Sequence, residues 1–113
     1  MHLTPLETDL LGDMAEDDHG LWEVFEFVRL HHPSAADGEV LKIGRDLLAT
    51  WIDRGWLRLA GEVPKWGLAK ALTDVLPIVD KHGVEATRHF DGAPWLDLAP
   101  RAYADVKWLR RAV

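Results

Sequence analysis

Asp17-Asp18-His19 and the adjacent pair His31-His32 are the first places in this chain where side chains capable of chemistry gather. Imidazole beside carboxylate is metal-ligand chemistry, so both were weighed as cation sites. Neighbouring positions on a helix point roughly 100° apart, whereas a zinc helix offers its histidines four residues apart on one face. The spacing therefore predicts solvated or capping histidines, no metal and no cofactor. Catalytic signatures fare no better. The sequence holds no Gly-x-Gly-x-x-Gly, no Walker-type phosphate loop, no Gly-x-Ser-x-Gly elbow and no His-Glu-x-x-His. Ser34 is the only serine and reads as a helix cap, and the absence of cysteine removes a thiolate nucleophile and a thiolate zinc site. An enzyme is not expected.

The acidic cluster differs in kind. Glu16, Asp17, Asp18, Glu23 and Glu26 lie around one helix-to-helix junction with Trp22 among them. Such a patch with an aromatic anchor suits a basic protein, because long-range attraction speeds encounter and a buried ring slows release. The plainer reading is a solubilising surface with Trp22 in the core. Charge is also unevenly spread. Residues 1–39 hold ten carboxylates against Arg29 alone, net −9, while residues 40–113 are +3. A surface this negative repels nucleic acid and attracts cationic partners.

The elements that must position these groups are mainly helical. Thr4-Pro5-Leu6-Glu7 predicts a helix start with a capping box, followed by Leu6, Leu10, Leu11 and Met14 at helical spacing. Its C-terminal carboxylates oppose the helix dipole, which favours cations there. A glycine turn then leads to a second helix over Leu21–Leu30, stopped by Pro33. A third, capped by Ser34 or Asp37, runs to Arg54, with Gly55 suited to the left-handed position that follows. Trp56-Leu57-Arg58-Leu59 reads as a short strand and 61–67 as a loop. A helical segment interrupted at Pro77 follows, forming one helix or two. Val84–Phe90 and Ala93–Leu98 flank Asp91-Gly92 as a hairpin, Pro94 making its strand an edge strand. Pro100 opens a last helix with Ala102, Val106 and Leu109 inward and Arg101, Lys107, Arg110 and Arg111 outward.

The expected class is α+β, mainly α, in one domain over residues 1–113. Its expected core is Leu10, Leu11, Val24, Phe25, Val28, Leu47, Leu48, Trp51, Ile52, Leu57, Val106 and Leu109. No apolar run is long enough to span a membrane and no signal sequence precedes the first helix, so a cytoplasmic protein is expected.

Three helices followed by a strand and hairpin resemble a winged-helix domain. The residues carrying the likeness are Leu3-Thr4-Pro5-Leu6-Glu7 at the first helix and Gly44-Arg45-Asp46-Leu47-Leu48 through Arg54-Gly55-Trp56-Leu57 from third helix to strand. An inserted segment at 64–83 departs from that pattern. The resemblance implies a DNA-contacting third helix and wing, for which Lys42, Arg45 and Arg88 are the candidates. Lys42 and Arg45 are interspersed with Glu39, Asp46 and Asp53, and Arg88 is opposed by Asp91 and Asp97, too acidic a setting for many phosphate contacts. By size, charge and lack of catalytic motifs the chain is also similar to bacterial immunity proteins. That likeness implies a cognate toxin, of the basic nuclease type, as partner, held by Glu16, Asp17, Asp18, Trp22, Glu23 and Glu26.

Overall fold

A computed structural model describes residues 2–17, 19–59 and 95–110, and shows a mainly helical α+β protein with a small antiparallel sheet. The first helix, α1 (Pro5–Met14), begins where local chemistry demands it. Thr4 Oγ1 accepts from the Glu7 backbone N–H at 3.1 Å while Glu7 Oε1 accepts from Thr4 N at 3.2 Å, with Pro5 in the first turn. Its buried stripe is Leu6, Leu10, Leu11 and Met14.

The junction after α1 corrects the sequence reading. Instead of a simple glycine turn, His19–Gly20 form a two-residue strand, β1, that runs directly into α2 (Leu21–His31). The next helix, α3 (Asp37–Asp53), also starts differently: its cap position is Ala36, no side chain caps it, and Asp37 already lies inside the first turn. Its C-terminus follows expectation. Gly55 has φ 73°, its N–H donates to Ile52 O, and Trp56 N–H donates to Trp51 O at 2.9 Å. This paired pattern reverses the chain and delivers Trp56 to the start of β2 (Leu57–Leu59).

The last described strand, β3 (Trp95–Leu98), occupies the middle of the sheet, in the order β1-β3-β2. His19 pairs with Leu96 and Gly20 with Trp95 on one side, and Leu57 pairs with Leu98 on the other. The expectation of an edge strand is thus overturned: the described strand, Trp95–Leu98, holds no proline and is paired on both sides. Residues 60–94 lie outside the described part, and with them the loop, the interrupted helical segment, Val84–Phe90 and the Asp91-Gly92 turn. Ala99 N–H donates to Trp56 O, and a short helix, α4 (Pro100–Asp105), closes the order. It ends earlier than its apolar spacing suggested, since Val106 is extended at φ −102°, ψ 96°. Even so, Ala102, Val106 and Leu109 are all buried.

All the expected core residues are buried except Ile52, which packs partly exposed against the core. Trp51 and Trp56 lie at its centre, rings tilted 53° at 5.9 Å between centroids. Each buried indole keeps its N–H bonded to a carboxylate, Trp51 to Glu7 at 3.0 Å and Trp56 to Asp105 at 2.9 Å. Helices α2 and α3 approach closely at Gly44, where an added β-carbon would lie 2.3 Å from Phe25 Cε1.

Candidate protein-binding site

The acidic junction is organised around His19. Sequence reading placed this histidine in solvent or at a cap. It is instead buried, at 3% exposure, because β1 pairs with β3 and draws the ring under the end of α1. Its Nε2 lies 2.6 Å from Asp13 Oδ2 and 3.5 Å from Glu23 Oε2. Its Nδ1 lies 3.0 Å from the Asp17 carbonyl oxygen. One side chain thereby ties the end of α1, the following turn and the first turn of α2.

Around this clamp the predicted site residues divide. Glu16 and Asp17 are exposed, and Glu26 and Trp22 are half-buried. Glu23 is half-buried with its carboxylate turned to His19. Asp18 lies outside the described residues. The structure therefore brings Glu16, Asp17, Glu23 and Trp22 to one junction, and adds Asp13 from the last turn of α1. Asp13, six residues before His19, and Glu23, four residues after it, place a carboxylate on each side of the ring.

A second aromatic also escaped the sequence reading. Trp95 is exposed, at 51%, and its register partner is Gly20. The Trp22 indole lies over that same glycine, so that a β-carbon on Gly20 would sit 2.7 Å from Trp22 Nε1. Strand pairing thus sets two tryptophans at the acidic junction, one half-buried and one exposed.

The other candidates are dispersed. His31 Nε2 lies 2.6 Å from Asp9 Oδ2, which ties the end of α2 to α1. Lys42 is exposed on α3 and Arg45 is half-buried, in the company of exposed Glu39, Asp46 and Asp53. Arg88 lies outside the described residues. Arg58, on β2, is paired with Asp97 of β3 at 2.7 Å. Among the described residues no helix is long and apolar enough to cross a membrane, and no group of three potential metal ligands is assembled. Comparison with family models, characterised proteins and solved structures found no match.

Proposed function

We propose that this protein is a non-enzymatic binding module whose acidic junction takes a basic protein partner. In its most specific form the proposal is an immunity protein that covers the cationic cleft of a nuclease-type toxin. The observation that carries it is the geometry at His19: a buried ring anchors α1 to α2, while Glu16 and Asp17 face solvent beside Trp22 and Trp95. Anionic groups on a fixed frame give steering without a large ordering cost, and aromatic rings supply the contacts that slow dissociation.

The fold reading that goes with it is a winged-helix-like domain. Its support is the element order α1-β1-α2-α3-β2-β3-α4 together with the β1-β3-β2 sheet. A DNA-binding regulator is the second reading, since that arrangement would make α3 the recognition helix. Against it, the exposed charges of α3 are Asp37, Glu39, Lys42, Asp46 and Asp53. Each phosphate contact needs a cation, and a helix with this balance supplies few.

The test uses a purified nuclease toxin encoded beside this gene, with association followed by stopped-flow fluorescence. Glu16→Lys with Asp17→Lys should slow association at least about tenfold at low salt, with the difference shrinking at high salt. An unchanged rate refutes the placement. Saturable DNA binding that survives moderate salt and is lost in Lys42→Ala with Arg45→Ala would favour the regulator instead.

A further inference from the structure

Away from the acidic junction, the start of α1, the end of α2 and the outer half of α3 enclose an open groove of about 510 Å³. That is the size of a small-molecule site, and its wall is chiefly apolar, with Leu6, Ile43 and Leu47 in the lining. The charged groups in the wall are unequally occupied. Glu7 accepts from Thr4 N, Thr4 Oγ1 and Trp51 Nε1, so both of its oxygens are engaged. Arg54 is the opposite case. Its Nη1 is buried without a hydrogen-bond partner among the described residues; it is ion-paired with Glu7 Oε2 at 3.9 Å, which is beyond hydrogen-bond distance. A buried donor in this condition calls for an acceptor, because its hydration has been given up with no hydrogen bond in return.

Arg54 is also held in place. Its guanidinium carbon lies 4.8 Å over the centre of the Trp56 ring, a cation–π contact, and a third of the side chain remains accessible. We propose that the groove binds a small apolar monocarboxylate. The carboxylate accepts from the Arg54 guanidinium and the hydrocarbon body covers Leu6, Ile43 and Leu47. Glu7 and the exposed Asp46 in the same wall make each added negative charge costlier, which disfavours phosphate and dicarboxylates relative to a monocarboxylate. The proposal is independent of the partner reading, since it uses none of the residues at the His19 junction.

The probe is a set of near-isosteres: 4-phenylbutyrate, 4-phenylbutanol, 4-phenylbutylamine and, separately, inorganic phosphate, titrated into the full chain. Methyl NMR shifts of Leu6, Ile43 and Leu47 report the groove. The acid should shift all three saturably, with the alcohol at least about tenfold weaker, and the amine and phosphate without effect. Arg54→Gln, checked by circular dichroism for an intact fold, should weaken the acid by a similar factor, and Arg54→Lys by less. Equal binding of acid, alcohol and amine, saturation by phosphate, or no saturation by the acid at about 10 mM overturns the proposal. The isostere series is run on the unaltered protein, so it decides even if the Arg54 variants misfold.

Discussion

Replacing His19 by leucine tests the clamp at its centre. The substitution removes a charge-assisted contact of 2.6 Å to Asp13 and a 3.0 Å contact to the Asp17 carbonyl. A hydrogen bond to a charged group contributes about 1.5–3 kcal/mol, and the backbone contact about 1 kcal/mol because Asp17 is exposed and its carbonyl can turn to water. Repulsion adds to the loss. Asp13 Oδ2 and Glu23 Oε2 lie 2.6 and 3.5 Å from the same nitrogen, so without the ring they face each other at no more than about 6 Å. Like charges at that distance cost about 0.7 kcal/mol in water and about 3 kcal/mol at an effective dielectric constant of 20. The apolar leucine side chain, buried in place of the ring, offsets about 1–2 kcal/mol. The net expectation is a destabilisation of about 3 kcal/mol, or a Tm lower by about 12 °C at about 4 °C per kcal/mol for a domain of this size. Urea unfolding followed by tryptophan emission and circular dichroism measures it. A double-mutant cycle supplies the sharper sign. Asp13→Asn should destabilise the natural protein by about 1 kcal/mol, yet stabilise His19→Leu by about as much through relief of the repulsion. A loss under about 1 kcal/mol for His19→Leu, or an Asp13→Asn effect of the same sign and size in both backgrounds, refutes the clamp.

Two further outcomes follow from the packing. Gly44→Ala should destabilise by about 1–3 kcal/mol despite alanine's better helix propensity, because its β-carbon would meet the buried Phe25 ring at 2.3 Å. Gly12→Ala, with open space at the same atom, should stabilise by about 0.5–1 kcal/mol; thermal unfolding of the pair checks both signs. Asp105 is held below the ordinary carboxyl value of 3.8, chiefly by the Trp56 N–H, which outweighs the opposing effect of burial, with lesser lowering by Arg101 and Lys107. A lowered folded value means stability that is present above the unfolded pKa and lost as pH falls through the folded one. Asp105→Asn should therefore have a lower urea midpoint than the natural protein at neutral pH, with the gap closing below about pH 4.

Local chemistry made much of this fold readable. The Thr4–Glu7 box, the Leu6–Met14 stripe and Gly55 are short-range devices, decided within a few residues by hydrogen bonding and by the permitted φ of glycine. What escaped was decided by distant pairing. Nothing near His19-Gly20 announces a strand, because two residues have no period and acquire partners only when Trp95 and Leu96 arrive. Burial of His19 follows from the same pairing, so a polar residue in an acidic stretch concealed a core position. The tryptophans illustrate the limit well. Composition cannot separate Trp51 and Trp56, fully buried with carboxylate partners, from Trp95 and Trp108, each half exposed. Of the proposed acidic site, Glu16, Asp17 and Trp22 were legible; the clamp that fixes them and the second aromatic were not.

The clamp also bears on the recognition role proposed for the acidic junction. Surface carboxylates that only solubilise need no fixed geometry, and a two-residue strand such as β1 contributes little rigidity by itself. Here the junction is tied at both ends of α2. His19 joins its first turn to Asp13, and His31, in its last turn, reaches Asp9. The backbone carrying Glu16 and Asp17 is thereby anchored to the core through a buried side chain. A partner docking there would find the charges already in place, with less chain entropy lost on association. The same two contacts engage Asp9 with His31 of α2 and Asp13 with His19 of β1, while Glu16 and Asp17 stand exposed at one end of α1. A localised anionic knob beside Trp22 and Trp95 complements a cationic cleft better than an evenly charged helix would, because attraction and shape then select the same orientation.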